Sequence, residues 1–275
     1  GVVLKGGYAG NTVTNPDERD IEKYKTILSG DLNADDAEVA IAADLLTEPS
    51  RAENSYHVVI GNALEDTPED APTVLDGFTI SGGNANGPSE WPQVYSSGGG
   101  LQNGRMRIVD CTFRDNSAWY GGAICSDYHR FIGCSITHNA AGWSGGAMHG
   151  VAGTFQDCTI TDNYALDRGG AISLWDQAPT FQRCTITDNI CAGTGGGIFV
   201  ADAGPALEDC LLSGNRAARG GAVYCARFDN PAHPTLMGCI LRDNVAEHDG
   251  GALYASYSSA ALMHCILSNN TAGQT

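Results

Sequence analysis

From residue 98 onward, apolar and polar positions recur in one fixed register. Cysteine stands at 111, 134, 158, 184, 210, 239 and 265, at intervals of 23 to 29 residues. Three residues before each comes a large apolar side chain: Ile108, Phe131, Phe155, Phe181, Leu207, Leu236 and Leu262. Two residues after each comes another, Phe113, Ile136, Ile160, Ile186, Leu212, Leu241 and Leu267, and five after each an asparagine, from Asn116 to Asn270. A glycine-rich step then leads into Leu101, Ile124, Met148, Ile172, Ile198, Val223 and Leu253. Within a unit the apolar positions alternate with polar ones, as in Cys158-Thr159-Ile160-Thr161, which is the period of a half-buried strand. No unit carries a helical stripe. A repeat of this length means stacked units, and the pattern predicts an all-β chain: a single right-handed parallel β-helix of about nine or ten coils. Coils then lie about 4.8 Å apart and equivalent residues stack in columns. The asparagines form an amide ladder along one turn, each side chain satisfying its neighbour.

Residues 1–97 keep the register only loosely, and 98–275 hold seven regular repeats of the same continuous domain. Val2–Leu4, Thr26–Ser29, Tyr56–Ile60 and Val74–Ile80 read as strands. Asp35 to Leu46 is alanine-rich and closed by Pro49, which predicts a short helical insertion. Asp31, Asn33 and Asp35 alternate like the start of an oxygen cage for calcium. Ala42 stands where a hand-type loop has its bidentate acid, and Asp36 where it has glycine. The stretch is either a calcium-coordinating turn or a solvated acidic one. No other cofactor is indicated.

Charge and cysteine usage narrow the classes. A net charge of −17 argues against nucleic acid and anionic membranes as partners. There is no apolar run of about 18 residues, so no membrane span is predicted. Ten cysteines invite a disulfide framework. Seven of them, however, point inward from equivalent strand positions, where a column of buried thiols is the simpler reading. The absence of any Cys-x-x-Cys pair argues against metal clusters.

The candidate functional row lies four residues after each glycine-step anchor, at Arg105, Tyr128, Ala152, Asp176, Asp202, Arg227 and Tyr257. The loops here vary most in length, and variable loops on one flank of a repeat stack are where binding faces form. Trp175, His129 and Phe228 lie beside this row, and flat rings next to acids suit sugar recognition. Asp176 and Asp202 occupy matching places on successive coils, so about 5 Å separates them, a spacing that fits retaining glycoside hydrolysis. A solvated acidic edge is the plainer alternative. For lyase chemistry the base would have to be Arg227, Tyr128 or His129.

Gly121-Gly122-Ala123-Ile124 and Gly169-Gly170-Ala171-Ile172, paired with Phe113-x-x-Asn116, resemble the repeat of the chlamydial polymorphic outer-membrane proteins. Gly6-Gly7-Tyr8-Ala9-Gly10, Thr26 to Asp31 and Leu75 to Asn84 are similar to large planctomycete-type surface β-helix proteins. The resemblance implies an extracellular or cell-surface setting and an adhesive or structural role. Pectin-type lyases and hydrolases share the fold, which keeps a polysaccharide-active enzyme as the alternative. The chain opens on a bare strand and stops just past an asparagine turn, so head-to-tail association into a surface fibre is a further expectation.

Overall fold

The computed structural model describes residues 1–61, 73–87, 95–125 and 129–273. A representative coil runs through four short strands, Gly153–Gln156, Thr159–Thr161, Tyr164–Ala165 and Ile172–Trp175. Each strand pairs in parallel with its equivalents in the coils before and after. The result is four sheets along the axis, two of nine strands and two of eight. The register is the one the repeat dictates: Phe131 pairs with Phe155, Phe155 with Phe181, and Phe181 with Leu207.

Among the described residues, seven coils carry all four strands, fewer than the nine or ten the chain length implied. The first coil has no third-sheet strand and the last no fourth-sheet strand. The difference arises because the N-terminal part spends its length on excursions. Between Ser29 and Val59 the chain leaves the coil path altogether.

That excursion is not the helix its alanines suggested. Asp31 accepts the backbone amides of Ala34, Asp35 and Asp36, which commits them to a turn. Only Ala42–Leu46 and Pro49–Arg51 are helical, both as 3-10 turns. Ala42 and Leu45 pack against Ala140 and Tyr164 on the third sheet. Arg51, only 2% exposed, fastens the loop by donating to the carbonyls of Gly83 and Asp115 at 3.1 and 2.8 Å.

Inside the coils the columns form one continuous core. Phe131, Phe155 and Phe181 stack face to face with ring centroids 4.8 Å apart. All the column cysteines but Cys158 donate to the coil before, as Cys184 Sγ does to the Phe155 carbonyl at 3.4 Å. The seven column cysteines are free thiols, so a thiol column stands where a disulfide framework would. Hydrogen bonding with Cys158, together with burial, pushes the Cys184 thiol up to about 12. Each ladder asparagine is shared in the same way. Asn163 Oδ1 accepts the backbone and side-chain amides of Asn139, and its Nδ2 donates to Ile136, Thr161 and Asn189 Oδ1.

Besides the glycine step and the loop row, two corners of each regular coil take a left-handed residue, a conformation that disfavours a Cβ. One corner holds Asp110, Gly133, Asp157, Arg183, Asp209, Gly238 and His264, the other Asp115, His138, Asp162, Asp188, Gly214, Asp243 and Asn269. Glycine stands where the aspartate of the coil before folds over it. A Cβ at Gly133, Gly214 or Gly238 would collide with Asp110, Asp188 or Asp209. The first corner never stacks two aspartates, and in it Asp157 is clamped by Arg183 at 2.8 and 2.9 Å.

Candidate functional site

Two rows of side chains converge on one flank. The residue just before each glycine step ends the third sheet; in this row Tyr120, Ser144, Arg168, Thr194 and Arg219 pair from coil to coil. The glycine then takes a left-handed turn, with φ 69° at Gly145 and 63° at Gly169. A Cβ at either would strike the carbonyl of Met148 or Ile172. This sharp corner brings the first row against the outer face of the fourth sheet. There His149, Ser173, Phe199, Tyr224 and Tyr254 pair in register, one residue past the buried anchors.

The two rows enclose a cleft of about 230 Å³ lined by Tyr120, Trp143, Ser144, His149, Arg168 and Trp175. Trp143 is 42% exposed at its rim. Arg168 sits at the centre of the aromatic wall, with Cζ 5.0 Å from the Trp175 ring, 5.4 Å from Phe199, 5.5 Å from Phe228 and 6.0 Å from Trp143. The cation-π attraction of these rings holds the guanidinium in place. Its Nε lies 3.2 Å from Asp167 Oδ2. His149 Nδ1 shares a hydrogen bond with Ser144 Oγ at 2.8 Å, and its ring lies 5.2 Å from Tyr120. Part of His149 stays at the surface, yet the packing round its ring, with Arg168 nearby, lowers its pKa to about 4. It is neutral at pH 7.

The residues expected from the sequence scatter. Trp175 belongs to the cleft, its ring tilted 36° against Phe228 with centroids 4.8 Å apart. His129 does not: it is 4% exposed, lies 5.5 Å from Phe131 and accepts the Met106 amide at 3.1 Å. Burial lowers its pKa to about 4. His129 sits at the start of the strand His129–Ile132, where the chain has already turned inward. Tyr128 lies outside the described residues. Arg227 is exposed, and Tyr257 is 86% exposed on a left-handed turn.

Asp176 and Asp202 do follow paired residues, Trp175 and Ala201, on successive coils. Asp202, however, is spent on its neighbour loop. Its carboxylate accepts the amides of Phe228, Asp229 and Asn230 at 2.8 to 3.2 Å. Partial desolvation opposes ionisation, but these bonds outweigh it and hold the group below the usual carboxylate range. Asp202 is thus bonded to its neighbour loop rather than left unengaged beside Asp176. Asp202 instead positions Phe228 against Trp175.

In the acidic turn, carboxylate oxygens of Asp31, Asp35 and Glu53 lie within 4.8 Å of one another. Glu53, from the far end of the excursion, thus joins two of the three residues expected there, and Asn33 is exposed. Glu53 Oε1 is buried and has no hydrogen-bond partner, which suits a cation's first ligand sphere.

Sequence reading missed Tyr120, Trp143, Ser144, His149 and Arg168. For Tyr120, Ser144 and Arg168 the signal was present in the position preceding each glycine pair, which forms a row of its own. Among the described residues no helix is long and apolar enough to cross a membrane. A search of curated proteins and one of solved structures gave no match. The family description "Right handed beta helix region" matches residues 93–274. The chain belongs to the right-handed β-helix family.

Proposed function

We propose that this is an extracellular β-helix protein that binds saccharide on its aromatic flank and serves adhesion or surface structure rather than turnover. The observation that carries this reading is the cleft itself: tryptophans and tyrosine around a fixed guanidinium, with no acid among its lining residues. Exposed flat rings stack on sugar faces, and a polar tip fixes orientation. Hydrolysis needs two carboxyl groups across the bond, and Asp202 is already engaged by three amides. The Ser144–His149 pair does not supply a nucleophile either. Ser144 is 1% exposed, and a histidine with a pKa near 4 is a weak base at neutral pH.

The likeness of the repeats to chlamydial and planctomycete-type surface proteins supports the extracellular setting. Buried thiols are compatible with it because oxidants cannot reach them. The test is affinity electrophoresis through a panel of polysaccharides, run beside assays for new reducing ends and unsaturated products. Retention that W143A and W175A abolish, with no product formed, is the expected result. Product release that D176A abolishes would establish the enzyme reading instead.

One further part of the reading rests on a separate observation. Calcium at Asp31, Asp35 and Glu53 is supported by the buried oxygen of Glu53. It predicts calorimetric binding that E53Q weakens.

A further inference from the structure

Arg168 has donors that no acceptor among the described residues takes up. Its Nε faces Asp167 at 3.2 Å, but neither Nη atom has a hydrogen-bond acceptor among the described residues. Four rings surround it at 5.0 to 6.0 Å, and rings offer a charge face but no lone pair. The side chain still exposes 26% of its surface. A guanidinium packed this way has lost its rotamer freedom before any ligand arrives, which removes much of the ordering cost of binding. Its planar fork matches two oxygens of a carboxylate or a sulfate.

The rest of the cleft leaves that fork as its charged element. Ser144 is committed to His149, and His149 is neutral at pH 7. Tyr120, Trp143 and Trp175 present ring surface. A volume of about 230 Å³ lies below the usual range of drug-sized pockets and suits one sugar ring rather than a chain. The net charge of −17 repels a dense polyanion at long range, so recognition is of a single anionic group held locally.

We propose that the cleft selects a saccharide unit bearing one anionic substituent, carboxylate or sulfate, held by the free Nη fork of Arg168 while the sugar ring lies against Trp143 and Trp175. This rests on the reading of the cleft as a saccharide site. Asp167 competes with the ligand for the same guanidinium and sets its affinity.

The test is isothermal titration in 0.15 M salt with tetragalacturonate, its fully methyl-esterified form, and a sulfated galactose tetramer. An acidic tetramer is expected to bind at least tenfold tighter than the neutral ester, and the acid that does so identifies the substituent. R168M, which keeps an apolar stem among the rings, is expected to bring acidic binding down to the neutral level and leave the neutral ester unchanged. D167N is expected to tighten acidic binding several-fold, an effect no merely structural arginine produces, and it covers the case in which R168M fails to fold. Equal binding of acidic and neutral tetramers, or an acid preference that survives R168M, overturns the proposal while leaving the cleft a saccharide site. Absence of binding by all three, with W175A indistinguishable from the natural chain, overturns the saccharide reading itself and this proposal with it.

Discussion

Replacing Asn189 by alanine tests whether the asparagine ladder supports the solenoid or merely decorates it. Asn189 is fully buried. Its Oδ1 accepts the Asn163 backbone amide at 3.1 Å and the Asn163 side-chain amide at 3.0 Å. Its Nδ2 donates to the carbonyls of Ile160 and Thr187 and to Asn215 Oδ1, at 2.9 to 3.0 Å. In N189A the Asn163 amide and the Ile160 carbonyl are left without these partners where water cannot enter. At about 1–3 kcal/mol for each orphaned group, the loss is about 4 kcal/mol. That corresponds to a fall in melting temperature on the order of 10 °C for a chain of this size. Asn270 makes the same bonds to Asn244 and Leu241 but is half-buried on the last coil. Water replaces what N270A removes, so its cost is about 1 kcal/mol or less. Urea unfolding followed by far-UV circular dichroism reads both variants. The reasoning fails if N189A unfolds within about 1 kcal/mol of the natural chain, or if N270A costs as much as N189A.

Three other outcomes follow from the same geometry. F155A removes a ring stacked on both sides at 4.8 Å, and urea unfolding should show a loss of about 3–5 kcal/mol. His138 Nδ1 lies 2.7 Å from Asp115 Oδ1, and this hydrogen bond, against partial burial, raises the histidine above its ordinary pKa. The stabilisation is thus fully present below about pH 6.5 and lost as pH rises through the folded-state value. Melting curves from pH 5 to 9 should show that decline in the natural chain and not in H138Q. The eight buried thiols should resist a water-soluble disulfide reagent in the native protein. Cys125 and Cys265, half-buried where the other eight are buried, react first, and the remainder titrate only on unfolding.

How much was legible beforehand differs from one feature to another. The phenylalanine, cysteine and asparagine columns were readable because each residue's partner is its own equivalent one repeat away. The 3-10 excursion was not, because alanine spacing reports helix propensity and says nothing of Asp31 capturing three amides. His129 looked like part of a loop, yet it starts a strand and is buried. The three amides held by Asp202 were not legible, because spacing shows where a side chain begins and not what it bonds.

The sequence by itself determined the coil, its register and its core. In a solenoid the dominant contacts join identical positions of neighbouring units, so periodicity encodes them directly. Only the tertiary structure decided the cleft. Arg168, Trp143, Trp175 and Phe228 occupy positions that are not equivalent in the repeat. They meet because a glycine corner folds one row over another sheet and Asp202 draws a distant loop into place. Such contacts depend on turn geometry and side-chain reach, which carry no period.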